Sequence, residues 1–140
     1  MKRIFICTFL IFSLTVAKSQ SDQAGCNIAI STGQQWKGVL KQGTATKQLS
    51  TASFSIEPTA AGQYKVSDLS AGFFSQFNIN KKLEAVLSFN CFDITPVTFT
   101  TEYGPCKIVD GHWDATAKQL TIHWTIEFNQ VDETSIFTVQ

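Results

Sequence analysis

Gln119-Leu120-Thr121-Ile122-His123-Trp124-Thr125-Ile126-Glu127-Phe128 alternates apolar and polar side chains along its whole length. Only an extended strand sends successive side chains to opposite faces. Leu120, Ile122, Trp124, Ile126 and Phe128 are therefore expected to face a core. Thr121, His123, Thr125 and Glu127 are expected to face outward. Ile108 to Trp113 reads as the other arm of a hairpin that reverses between Asp114 and Lys118. Asp114 suits that reversal because its carboxylate can accept from backbone N–H groups just ahead of it.

The same period of two extends in both directions. Val97, Phe99, Thr101 and Tyr103 follow Pro96 and stop at Gly104-Pro105. Ala85, Leu87, Phe89 and Cys91 line one face of the strand before. Phe73, Ser75, Phe77 and Ile79 share a face, with Phe74, Gln76 and Asn78 opposite, ahead of the polar turn Asn80-Lys81-Lys82. Tyr64 and Val66 form a short strand. Ala52, Phe54 and Ile56 form another, broken at Pro58 and Gly62. Trp36 to Leu40, and Ile28 with Ile30, read as strands nearer the N-terminus, and Ser135 to Val139 closes the series. No stretch keeps a helical period; at most one turn fits between Ser67 and Ala71, where Asp68 reads as a turn residue. Eight or nine short strands separated by turns predict an all-β domain. A small antiparallel up-and-down barrel is expected, because closure removes exposed strand edges, with a β-sandwich as the alternative.

The N-terminus carries a different signal. Met1-Lys2-Arg3, the uncharged run Ile4 to Val16 and Ala17-Lys18-Ser19 have the layout of a secretory signal spanning residues 1–19, cleaved before Gln20. The run is too short to span a bilayer, and no later segment approaches the roughly 18–20 apolar residues required. Residues 20–25 read as a loose leader and 26–140 as one domain, exported in soluble form to the periplasm or beyond. After cleavage, eight lysines and no arginine stand against eleven acids. Lack of arginine disfavours nucleic acid and anionic membranes as partners. Cys26, Cys91 and Cys106 remain. An odd number in an oxidising compartment suggests one disulfide and one thiol free for a protein partner. Cys91–Cys106 is the candidate pair, a loop closure worth about 3 kcal/mol; three buried thiols are the alternative. Cys26 lacks the apolar residue that precedes a lipidated cysteine.

Two blocks, Gly62-Gln63-Tyr64-Lys65-Val66-Ser67-Asp68-Leu69-Ser70-Ala71-Gly72-Phe73-Phe74 and Gly111-His112-Trp113-Asp114-Ala115-Thr116 with Leu120 to Trp124, resemble small secreted domains of the Bacteroidota described as uncharacterised or lipocalin-like. The Cys91 region and the ending Thr134 to Thr138 fit the same resemblance, which covers the chain from about Phe54 onward. It implies a secreted or cell-surface β domain, often attached to larger proteins, and carries over no catalytic residue.

No catalytic constellation stands out. Serine never occurs in a Gly-x-Ser-x-Gly elbow, and the acids sit mostly at turns with no pair suited to glycoside cleavage. His112 and His123, with Asp110 and Asp114 nearby, fall short of the three or four ligands a zinc site needs, and read as surface histidines. No metal or other cofactor is expected. The aromatic excess is the remaining signal. Trp36, Phe74, Phe92, Tyr103 and Trp113 are the candidate ligand contacts, since flat amphipathic rings stack on sugars or hold apolar molecules. The leading expectation is a non-enzymatic binding domain for an apolar small molecule or a glycan. A structural or protein-interaction module at the cell envelope is the alternative, and a secreted hydrolase ranks last.

Overall fold

The computed structural model describes residues 25–48, 54–77 and 82–140; the signal reading, Ala52 and Ile79 lie outside these. The alternating stretch that opens the sequence argument forms β9 (Gln119–Ile126), with Leu120, Ile122, Trp124 and Ile126 all buried. Phe128 is a correction. It lies beyond the strand, in a 3-10 turn at Phe128–Gln130 that leads into the next strand, and is 69% exposed.

Ten strands form among the described residues. They are β1 (Trp36–Gln42), β2 (Ala45–Gln48), β3 (Ile56–Ala60), β4 (Gln63–Val66), β5 (Ala85–Asn90), β6 (Asp93–Ile94), β7 (Val97–Thr101), β8 (Gly104–Asp114), β9 and β10 (Val131–Val139). They make one antiparallel sheet in the order β2-β1-β10-β9-β8-β6-β5-β4-β3, with β7 also paired to β8. The all-β class is as expected, with ten strands rather than eight or nine. The sheet is open, and β2 and β3 are its two edges.

Those edges are nonetheless consecutive in the chain. Eight inter-strand spacings would separate them by about 38 Å in a flat sheet. The link from Gln48 to Ile56 can reach at most about 28 Å. The sheet must therefore curl, and its inner face becomes the core. Pro58 does not end β3, contrary to expectation. It sits within this edge strand, beside a bulge between Pro58 and Ala60, where a missing N–H is tolerated.

A second bulge decides what β8 buries. The register with β9 shifts between Ile108 and Asp110, leaving Val109 as the extra residue. Cys106 and Ile108 face inward before it, and Trp113 faces inward after it, although Ile108 and Trp113 are an odd number of residues apart. His112 and Asp110 are turned outward by the same shift. Gly104-Pro105 opens β8 instead of breaking the chain, and Ile28 with Ile30 forms no strand, although Ile30 is buried.

The disulfide is Cys26–Cys91, with Cα atoms 4.9 Å apart. This overturns the Cys91–Cys106 pairing. Cys91 occupies the turn between β5 and β6, next to Asp93, which pairs with His112. Cys106 lies six residues farther along β8, about 20 Å away at strand rise, beyond any disulfide's reach. The observed bond ties the segment before β1 to the β5–β6 turn across a separation of 65 residues. In the chain-entropy model that closure is worth about 4 kcal/mol.

The segment between β4 and β5 fills part of the inner face. A strand is expected over Phe73 to Ile79; its described part, Phe73 to Phe77, is instead turn, with a 3-10 turn at Phe74–Phe77. Asp68 causes this. Asp68 is 2% exposed, and among the described residues its carboxylate accepts four hydrogen bonds: Oδ1 from the Ser70 N–H, the Ser70 hydroxyl and the Leu83 N–H, and Oδ2 from the Gly72 N–H. These bonds wind residues 68–72 tightly, with Ala71 and Gly72 at positive φ, and the Leu83 bond clips them to the approach to β5. Leu69 and Ala71 are driven into the core. A second clip crosses the sheet: the Trp124 indole donates to Ser135 Oγ, and the Ser135 hydroxyl donates to the Leu69 carbonyl. Gly38 on β1 allows the close approach. A Cβ there would stand 2.7 Å from the Phe54 ring and 2.9 Å from the Ala71 Cβ.

Replacing one Asp68 oxygen by an amide must leave a buried N–H facing another donor, whichever way the amide turns. Asp68→Asn is expected to lower unfolding stability by about 2 kcal/mol or more in chemical denaturation. Unchanged stability would remove Asp68 from this role.

Candidate functional site

The chain places its aromatic candidates at two ends of the curled sheet. At the first end Trp36, at the start of β1, meets Trp113, near the end of β8, edge to face with centroids 6.2 Å apart. Phe92 lies beside them, its carbonyl accepting from the Trp113 N–H and its ring 6.3 Å from the His112 ring. Trp113 is core, 1% exposed, and Trp36 and Phe92 are half-buried against it.

The second end is open and holds Phe74 and Tyr103. Their rings stack with centroids 5.0 Å apart and planes 23° from parallel. Tyr103 is fixed by the β7–β8 turn, where Thr101 Oγ1 accepts from the Tyr103 N–H and donates to the Gly104 carbonyl. Phe74 is fixed by the turns that Asp68 winds. Phe73 contacts Phe74 and Phe77 edge to face, at 5.9 and 5.2 Å, and Phe77 is 61% exposed. Phe128 packs over Gly104 at the same end. An open groove of about 300 Å³ borders Tyr103, between residues 82–84 and 100–103.

Polar groups join this aromatic wall from the inner face. Leu40 pairs with both Ser135 and Lys47, so Lys47 shares the inner face with them. Two residues along the adjoining strands, Gln42 and Glu133 fall on that face too. The Lys47 ammonium lies 4.5 Å from the centre of the Phe73 ring and donates to Gln42 Oε1 at 2.9 Å. Glu133 is 4% exposed, and its Oε2 is enclosed with no hydrogen-bond partner among the described residues. Burial pushes its carboxyl above the ordinary glutamate range, and the positive charge of Lys47 offsets only part of that.

Of the candidate contacts read from the sequence, the structure brings Phe74 and Tyr103 together here; Phe73, Phe77, Lys47, Gln42 and Glu133 were not among those candidates. The signal for Glu133 was present: the Ser135, Phe137, Val139 alternation, carried two residues back, turns Glu133 inward.

The histidines lie outside this site, on the outer face. His112 Nδ1 is 2.7 Å from Asp93 Oδ1. His123 Nε2 is 2.8 Å from Asp132 and Nδ1 is 3.4 Å from Asp110. Partial burial pushes the His123 imidazole down, but bonds to Asp132 and Asp110 more than reverse this and raise its pKa. Its stabilising contribution is thus full at low pH and fades as pH rises through the raised value. Asp114 is not part of this group; it caps its own turn, accepting from the Thr116 and Ala117 N–H groups. Among the described residues no three or more His, Cys, Asp or Glu side chains are grouped to hold a metal ion.

The expected free thiol for a partner is also corrected. The unpaired cysteine among the described residues is Cys106, fully buried, its thiol pushed up to about 11 by burial. It offers no surface attachment. The Cys26 sulfur is spent in the disulfide, so it has no thiol left for a lipid. No helix among the described residues is long and apolar enough to cross a membrane. Comparison with protein-family models, curated proteins and solved structures found no match.

Glu133 yields a pH test. With its folded pKa raised, it favours the fold below the ordinary glutamate pKa and penalises it as pH rises above that value. Glu133→Gln is expected to raise the melting temperature at about pH 7, with the gain vanishing near pH 4. A lower melting temperature for the variant at pH 7 would mean that the charged form is the one the fold supports.

Proposed function

We propose that this chain is a non-catalytic binding domain, and that it takes its ligand against the aromatic wall of Phe73, Phe74, Phe77 and Tyr103 at the open end of the sheet. The observation that carries this reading is the Phe74–Tyr103 stack continued outward by exposed Phe77. Large rings left at the rim of a packed domain keep apolar surface in water, which costs about 25 cal/mol per Å² until something covers it. The mouth of a curled β-sheet is a common place for barrel proteins to hold small ligands. A lipocalin-like barrel, with the gap between β2 and β3 closed, belongs to this proposal and is supported by the curl that the short β2–β3 link imposes.

Two probe types test the reading: the uncharged fluorophore N-phenylnaphthylamine and a panel of neutral hexasaccharides. Phe74→Ala and Tyr103→Ala are expected to weaken the bound probe about tenfold, as loss of a stacked ring implies. Phe92→Ala, at the closed end, should leave affinity unchanged. The reading fails if Phe92→Ala weakens binding and the other two do not.

A further inference from the structure

Glu133 is an expensive residue to keep where it is. Its neighbours on the inner face are Leu40, Ser135 and Trp124. A leucine would fill that position without the penalty of a buried carboxyl. Fully satisfied polar groups elsewhere in the interior, Asp68 and Ser135, have structural roles. Glu133 has none: it caps no turn, bridges no strands and bonds no described backbone. A rule broken in this way without structural return is characteristic of a site of function.

From this we infer that Glu133, Lys47 and Gln42 form the polar half of the binding site, and that the ligand is a neutral carbohydrate. The inference rests on the binding reading above and adds the ligand class. Charge selects it. An anionic ligand would meet the Glu133 carboxyl, and a cationic one would meet the Lys47 ammonium that already covers Phe73. One acceptor, one ammonium and one amide on a single face match hydroxyl groups, each of which both donates and accepts. The rings beside them match the apolar face of a pyranose. A purely apolar ligand would cover the rings and leave Glu133 Oε2 unbonded. A sugar hydroxyl donating to that oxygen removes the orphan acceptor, so the ligand completes a hydrogen-bond set that the chain leaves open.

The test compares maltohexaose, cellohexaose, xylohexaose and mannohexaose with N-phenylnaphthylamine, by calorimetric and fluorescence titration at about pH 7. Wild-type protein is expected to bind at least one hexasaccharide. Glu133→Gln and Lys47→Met should weaken that binding about ten- to a hundredfold, the range for hydrogen bonds to charged groups, a larger loss than either causes for the fluorophore. Circular dichroism of each variant confirms that it is folded. If the fluorophore binds and depends on Phe74 and Tyr103 while no hexasaccharide binds, the carbohydrate inference is overturned and the aromatic site stands. If a hexasaccharide binds equally well to Glu133→Gln, the role of Glu133 is overturned. If neither probe binds, both the inference and the reading beneath it fall.

Discussion

One buried carboxylate governs the architecture. Asp68 gathers three backbone N–H groups and one hydroxyl into a space that water does not enter. Each of these donors would cost about 1–3 kcal/mol if left unpaired in the interior. Because they converge on one side chain, the path of residues 68–72 has little freedom, and the approach to β5 is fixed with it. Leu69 and Ala71 are then delivered to the core, and Phe73 and Phe74 emerge at the open end. The Trp124–Ser135–Leu69 relay fastens the same segment to the middle of the sheet. Core and site are thus two consequences of one local constraint.

The two ends of the sheet contrast in how they treat polar groups. At the closed end the Trp36 and Trp113 indole N–H groups have no acceptor among the described residues, but packing seals them and the disulfide stands nearby. At the other end the enclosed Glu133 carboxyl shares the inner face with Lys47 and Gln42, and Lys47 lies over the Phe73 ring. The first arrangement is an imperfection of packing. The second is an assortment of chemistry that packing alone does not call for.

Much of the fold was legible. The alternation around Ile122 and Trp124 identified β9, its hairpin with β8 followed from the turn at Asp114, and the all-β class followed from repetition of that pattern. What the pattern hid came from departures from period two. The bulge at Val109 inverts the facing of everything after it. Asp68 overrides a plausible alternation in Phe73 to Phe77 and winds it into turns, a tertiary effect of bonds to Leu83, which is distant in sequence. Phe128 looked like the next inward residue, but the strand ends at Ile126. The disulfide was illegible because pairing depends on which turn meets which segment in space. For the site, Phe74 stood out by lying opposite Phe73 and Phe77 in the alternation and Tyr103 as one of the flat amphipathic rings, whereas Lys47 and Gln42 looked like ordinary surface residues until the β1–β2 register put them on the inner face with Lys47 over Phe73.

If the segment wound by Asp68 presents the ligand site at the Tyr103 end, ligand binding must be felt along that segment. Amide proton–nitrogen correlation spectra, recorded while the bound probe is titrated into the protein, test this most directly. Shift changes are expected to concentrate in residues 68–77, Tyr103–Gly104, Lys47 and Glu133, with the Trp36, Phe92 and Trp113 amides unmoved. Changes centred on Trp36, Phe92 and Trp113, or on the outer face around His112 and His123, would contradict it.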